Sequence, residues 1–360
     1  MIRLIANSSL IEVCCDSPRI KYSGIVRKPV RIAILGLGDI GRLVARCALK
    51  RGYSVVGGVD IDPAKIGADI GELAGTGRLG KIVYDSLEEL LKKEDIDVLI
   101  QSTTSYLDQA YRQFRSAVEN GVSIISTCET LVYPYYRYPE LAAEIDRAAR
   151  HSGATVLGAG INPGYLLDVL PVFMTAPCLS VESIVAVRQL DAAKRRSPFR
   201  KKVGVGMRME EYSEKLRRGE YTGHVGMAES ALLIAKALRI RVDRIEEDQA
   251  PVAADKVVES AGITVRPGEV RGVESRCVIR TAGRETVRLE FRALVGAEEY
   301  EEVMIRGEPS LTWRSSGTPG DLGTVSVILN VAPLVLRAGP GLVTIDELPL
   351  MHSVFRPAQP

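Results

Sequence analysis

The sequence predicts an α/β protein in two parts: an N-terminal Rossmann-type domain on a parallel sheet and a second, α+β domain on a mostly antiparallel sheet. Three observations carry that expectation. From Val30, short apolar runs alternate strictly with helical segments; the glycine-rich GLGDIG follows the first apolar run and opens the first helix; and from about Ser183 the runs lengthen and alternate apolar with polar residues. Strand and helix in strict alternation make parallel βαβ units. Period-two alternation makes the half-buried strands of an antiparallel sheet.

The elements follow in order. Residues 1 to 29 have no sustained period and end in the basic, proline-containing IVRKPV, so they are expected to form an extension. VRIAILG, SVVGGVD, DVLIQST and VSIIST read as strands, nearly continuous in apolar residues as strands covered on both faces are. GRLVARCALKRG, SLEELLKKED, LDQAYRQFRSAVENG and PELAAEIDRAARHSG read as helices, and ATVLGAGIN closes the series as a strand. The dinucleotide-binding domain is expected over 30–163 and the substrate domain over 164–320. There Val287, Leu289, Phe291, Ala293 and Val295 alternate, and a helix over roughly HVGMAESALLIAKALRI interrupts the strands. A last helix, from about Leu322 to Leu336, belongs to a C-terminal segment, 321–360, expected to return to the first domain.

Composition narrows the function classes. With 47 basic and 45 acidic residues among 360, the net charge of +2 gives no field for nucleic acid or an anionic membrane, which points to a small-molecule partner. Six cysteines (Cys14, Cys15, Cys47, Cys128, Cys178, Cys277) form no CxxC pair, and only three histidines accompany them, so neither a structural metal nor a disulfide framework is expected. Glu12 and Asp16 interrupt what would be the apolar region of a signal peptide, and Asn330 and Pro333 break VSVILNVAPLVL. A soluble, cytoplasmic protein is expected.

GLGDIG, Gly36 to Gly41, sits in the strand-to-helix context of a dinucleotide fingerprint. Gly36 suits the tight turn, Gly38 a close approach to pyrophosphate and Gly41 close helix packing, while Asp39 and Ile40 begin the helix whose amides and dipole favour phosphate. Asp60 ends the second strand, where an acidic side chain accepts from an adenosine ribose hydroxyl; Lys65 stands ready for a 2'-phosphate, so the cofactor is read as NAD or NADP. Ligands of open α/β sheets bind outside the carboxyl ends of the strands. Three such ends carry chemistry: Ser102, Thr103 and Thr104; Cys128 and Glu129; and Asn162, Pro163 and Gly164. The hydroxyls suit the ribose or carboxamide, or alternatively cap a helix. Cys128 is placed beside the cofactor; as a nucleophile it has no histidine nearby in sequence. Glu129 has three readings: a solvated charge, an ion-pair partner of a local arginine such as Arg137, or a general base.

At this point the residues resemble a known family. GLGDIGRLVARCALKRGYSVVGGVDIDPAKIGADIGELAG, STCETLVYP, GAGINPGYLLD, GHVGMAES and GLVTIDELP together resemble the 2,4-diaminopentanoate dehydrogenases and related native amine dehydrogenases, themselves distantly similar to dihydrodipicolinate reductases. The resemblance spans Val30 to about Pro349. It implies NAD(P)-dependent oxidative deamination of a small amine or diamino acid and the reverse amination of a ketone or aldehyde with ammonia, Glu129 handling the ammonia, and a homodimer built through the sheet domain. It also inclines His224, at the expected start of a helix, toward the substrate pocket, with Asn162 and Tyr165 as further substrate contacts. Thr130 departs from the family pattern, which commonly has a second acidic residue there. The His-His-x-x-Lys segment of the dihydrodipicolinate reductases is absent, histidines occurring only at 151, 224 and 352. Two other readings stay open: a ketone reductase using Tyr165 or His224 as acid, and a catalytically silent NAD(P)-binding redox sensor.

Overall fold

The structure, a computed structural model, describes residues 29–354, so all of the expected extension but Pro29 lies outside the described residues. The first domain runs β1 (Arg31–Leu35), α1 (Asp39–Lys50), β2 (Ser54–Val59), α2 (Ile70–Leu73), β3 (Val83–Tyr84), α3 (Leu87–Lys93), β4 (Val98–Gln101), α4 (Leu107–Glu119), β5 (Ser123–Ser126), α5 (Pro139–Ser152) and β6 (Thr155–Gly158). β4 and β5 are buried along their whole length, as strands covered by helices on both faces must be. α4 shows why the flanking segments fold as helices: Leu107, Ala110, Tyr111, Phe114, Ala117 and Val118 are its buried residues, spaced to form one stripe.

The chain then continues through α6 (Val169–Met174), β7 (Ser180–Asp191), α7 (Ser197–Lys202), α8 (Met209–Arg217), α9 (Met227–Ala237), β8 (Arg244–Ala253), β9 (Val258–Ser260), β10 (Ile263–Val265), β11 (Val270–Thr281), β12 (Arg284–Leu294), β13 (Tyr300–Glu308) and β14 (Leu311–Arg314). Six of these strands form a sheet in the order β14-β13-β7-β12-β11-β8, antiparallel except where β7 runs parallel to β12. Its inward side chains, among them Ile184, Val287, Leu289, Phe291 and Ile305, form a core with α9. α9 is buried on nearly every side, and Glu229 in its first turn is fully buried.

After β14 the chain returns through α10 (Gly320–Val335), which packs on α1, to β15 (Gly341–Val343). β15 pairs in parallel with β6, completing a seven-stranded sheet in the order β15-β6-β5-β4-β1-β2-β3. Thus β6 is not the last strand of the first sheet, and two-residue β3 forms the other edge; β3 and β15 are too short to register as apolar runs. Among the described residues no helix is long and apolar enough to cross a membrane.

One charge network ties the two domains. Arg137, in the loop after β5, donates from Nε to Glu229 Oε1 at 2.6 Å and pairs with Glu247 of β8. Burial pushes the Glu229 carboxyl up, and the guanidinium opposes that shift. Removing one partner of such a pair strands the other charge in the core. Arg137→Met is therefore expected to lower unfolding free energy by about 3 kcal/mol, and Arg137→Met/Glu229→Gln to recover part of it, both read by denaturant unfolding.

Candidate active site

The carboxyl ends of β1, β4, β5 and β6 open onto a cleft of about 330 Å³ between the domains. Gly36 begins the β1–α1 turn at φ +91°, and a Cβ there would stand 2.5 Å from the Thr103 methyl. Gly41 is forced more strongly: an added Cβ would lie 1.9 Å from the carbonyl oxygen of Gly36. Gly38 has nothing within 4 Å of where its Cβ would be, and it lines the cleft with Asp39 and Ile40. No side chain caps α1, so its first-turn amides are left for a ligand. An open glycine before an uncapped helix fits a pyrophosphate.

Asp60 braces this turn. It accepts from the amide of Leu37 at 2.7 Å, from that of Asp62 at 2.9 Å and from Lys65 Nζ at 3.1 Å. Burial alone would raise its pKa; the two amides and Lys65 outweigh it and lower the value. Lys65 is shared with Asp62 at 3.5 Å. Ser102 donates to the Gly36 carbonyl at 3.1 Å, Thr103 joins Gln101 and Gln113, and Thr104 donates to Gln109 at 2.7 Å. All three residues line the cleft.

Glu129 opens a 3-10 turn directly after β5 and also lines the cleft. Its partner is Lys202, at the end of α7, whose Nζ lies 3.2 Å from Oε1 and 3.4 Å from the Ser105 hydroxyl. The expected alternative partner, Arg137, is taken up by Glu229 and Glu247. Asn162 and His224 face each other, Nδ2 to Nε2 at 3.0 Å, and the imidazole stacks on Phe291 with ring centroids 3.9 Å apart. Asn162 Oδ1 and His224 Nδ1 are shut off from solvent without a protein partner. His224 precedes α9 rather than opening it, and Gly226, at φ +101°, is the residue before the helix.

Six expected contacts are not part of the cleft wall: Gly36, Gly41, Asp60 and Lys65, which shape and brace the glycine turn, and Cys128 and Tyr165, which are turned into the core. Cys128 is fully buried and belongs to the core under α4; burial pushes its thiol up to about 12, against a cofactor-facing or nucleophilic role. Tyr165 packs against the core of the first domain and is absent from the cleft wall.

Residues 165–359 match the family described as the 2,4-diaminopentanoate dehydrogenase C-terminal domain. The chain belongs to that family. Residues 30–130 match the dihydrodipicolinate reductase N-terminus. Among relatives of the diaminopentanoate dehydrogenase family, the 2,4-diaminopentanoate dehydrogenase of Acetoanaerobium sticklandii is 29% identical, the alignment covering 91% of this chain and 95% of that one. An amine dehydrogenase of Streptomyces virginiae is 24% identical over 91% and 98% of the two chains. The structure of an amine dehydrogenase from Mycobacterium smegmatis superposes with a TM-score of 0.81 at 27% identity, over 90% of this chain and 97% of that one. This member of the diaminopentanoate dehydrogenase family is an NAD(P)-dependent oxidoreductase.

Sequence reasoning missed Lys202, Arg188, Arg195, Arg196 and Phe291, all of which line the cleft. A signal was present: DAAKRRSPFRKK carries six basic residues in a short segment, far more than the near-neutral chain average. Phe291 gave none, because an inward aromatic on a strand reads as core.

The His224 pKa is held well below its ordinary 6.5, first by burial and then by the charges of Lys202 and Arg188. Its unfolded form takes a proton near 6.5 while the folded form resists, so stability is lost as pH falls below that value. His224→Gln is expected to flatten the fall of Tm between about pH 6.5 and 5, measured by thermal melts across pH.

Proposed function

We propose that this protein is an amine dehydrogenase that oxidises a small amine or diamino acid to a carbonyl compound and ammonia, and runs the reverse amination, with Glu129 as its acid–base group. The observation that carries this reading is the Glu129–Lys202 pair: an ammonium held 3.2 Å from a carboxylate in the cleft beside the glycine turn. That is where a substrate ammonium would sit once Lys202 swings aside. Ammonia is proposed as product and co-substrate.

In the oxidative direction Glu129 takes a proton from the substrate ammonium, leaving a neutral amine. A nicotinamide held in this cleft would supply the acceptor for the hydride that leaves the carbon bearing nitrogen. The iminium left behind is cationic, and the Glu129 carboxylate, once its proton has passed to solvent, stabilises it. The same carboxylate would then take a proton from water as the water oxygen bonds to the iminium carbon, return that proton to the nitrogen, and accept the hydroxyl proton as the carbon–nitrogen bond breaks, the carbonyl forms and ammonia leaves. His224, neutral in this setting, and Asn162 line the cleft where substrate or carboxamide would bind. Gly38, Asp39 and Ile40 would hold the pyrophosphate, and Ser102, Thr103 and Thr104, which line the same cleft, would contact the ribose or carboxamide.

The remaining assignments belong to the same proposal. Domain limits fall at 30–163, 164–320 and 321–360. A cytoplasmic setting agrees with four free thiols among the described residues, Cys47, Cys128, Cys178 and Cys277. A homodimer would use the outer face of the second sheet, where Arg276, Arg280, Arg288 and Arg292 interlock with Glu246, Glu285, Glu290 and Glu274.

Glu129→Gln is expected to fold and bind NAD(P)H yet lose about 10² to 10⁴ in ammonium-dependent turnover, followed by nicotinamide absorbance; near-normal turnover sinks the mechanism. Product formed without ammonium would instead indicate a ketone reductase. Asp60→Ser should shift the ratio of kcat/KM values from NAD toward NADP, by removing a ribose acceptor and a charge that repels a 2'-phosphate. An unmoved ratio removes Asp60 from the adenosine site.

A further inference from the structure

Glu129 is held along the chain from both sides. The amide of Cys128 donates to the Ser126 hydroxyl at 2.9 Å, and that hydroxyl donates to the fully buried side chain of Gln101 at the end of β4. The amide of Thr130 donates at 3.2 Å to the carbonyl of Ser105, in the loop between β4 and α4. Glu129 stands between these two anchors and lines the cleft, as Ser105 does.

The Thr130 side chain is fully buried and both of its hydrogen-bonding roles are used. Its one hydroxyl proton goes to the Ser105 carbonyl at 3.2 Å, and its oxygen accepts from the Leu107 amide at 2.9 Å. Leu107 is the first residue of α4, and Tyr106 before it supplies no side-chain cap. The helix takes its cap instead from a hydroxyl 23 positions along the chain, next to the carboxylate of the cleft. A closed circuit results. The Ser105 hydroxyl lies 3.4 Å from Lys202 Nζ, Nζ lies 3.2 Å from Glu129 Oε1, and Glu129 is joined covalently to Thr130, which holds Ser105. The Lys202 ammonium therefore stands between a carboxylate and a hydroxyl whose spacing Thr130 fixes. An ammonium that takes its place meets the same two acceptors.

We infer that Thr130 is a positioning residue for the amine chemistry: by fastening Ser105 to the turn that carries Glu129, it sets the two acceptors, carboxylate and Ser105 hydroxyl, between which the reacting ammonium is held. The inference rests on the amine dehydrogenase reading for Glu129 and adds the residue that aims it. Proton transfer requires the nitrogen within hydrogen-bond reach of the carboxylate, and a misplacement of about 1 Å costs on the order of a hundredfold in rate. Thr130 itself touches neither substrate nor cofactor; it acts through its neighbours.

Valine keeps the shape of threonine without its hydroxyl, and serine keeps the hydroxyl. Thr130→Val should lower kcat for oxidation of 2,4-diaminopentanoate by about tenfold to hundredfold, and Thr130→Ser should stay within about threefold of the wild type. Both should bind NAD(P)H within about twofold of the wild type, read by nicotinamide fluorescence. The deciding comparison is made in Glu129→Gln, where Thr130→Val should cost less than about twofold further because the group it aims is gone. An equal loss in both backgrounds gives Thr130 a purely structural role and overturns the inference, as does a wild-type kcat in Thr130→Val. Ser105→Ala, a partly exposed position, repeats the comparison should Thr130→Val not fold: a fall in kcat that vanishes in Glu129→Gln supports the circuit, and no fall overturns it. Crystal structures add a readout free of turnover. Lys202 Nζ should stay within about 4 Å of both Glu129 and Ser105 in Thr130→Ser and leave at least one of them in Thr130→Val; both contacts kept in Thr130→Val overturns the inference. If the wild type oxidises no small amine, the amine dehydrogenase reading fails, and the crystal structures still decide whether Thr130 places the two acceptors.

Discussion

The guanidinium of Arg137 fastens the first domain to a buried carboxylate of the second. It leaves the first domain from the loop that carries Glu129 and ends on Glu229 and Glu247 of the second. Glu229 lies in α9, which is hydrophobic nearly all round and packs against β8, β11 and β12. A charge in such a helix is tolerable only with a partner, and the partner comes from across the cleft. The loop that carries Glu129 is thereby tied to the helix that follows His224 by an ion pair whose carboxylate is fully buried.

The cleft itself is held by exchangeable pairs. Lys202 already neutralises Glu129, so on the proposed mechanism a substrate ammonium would replace one cation by another rather than uncover a bare carboxylate. Such a swap avoids most of the desolvation that a new buried charge would cost. Asp60 works the opposite way. Its carboxylate is fastened to two backbone amides, so the glycine turn is set before any ligand arrives.

Much of this was legible in the sequence, for local reasons. A strand, its terminal glycines and the helix after them are neighbours in the chain, so GLGDIG declared the tight turn and the uncapped helix that follows it. Strand ends declared where Ser102, Glu129 and Asn162 would gather. What strand ends do not declare is direction: Cys128 and Glu129 are adjacent residues, and one is buried under α4 while the other reaches the cleft. Tyr165 failed similarly, through a loop whose fold decides which side chain turns inward. Lys202 stands 73 residues from Glu129, and Arg188 reaches the same cleft from a strand of the other sheet. No local pattern encodes those meetings. β3 and β15 escaped because two and three residues make no period.

The pairing of β15 with β6 has a consequence for how the protein is made. Strands β1 to β6 leave the ribosome early, but their outermost partner is encoded after the whole second sheet. Until Gly341 to Val343 emerge, β6 presents an open row of backbone donors and acceptors, the kind of edge on which chains aggregate. The second domain must therefore be synthesised while the first waits unfinished, and the α10 that covers α1 arrives with the missing strand. Loss of the last segment would withdraw a helix and a strand from the domain that begins the chain, so a late truncation should show itself as an early folding defect.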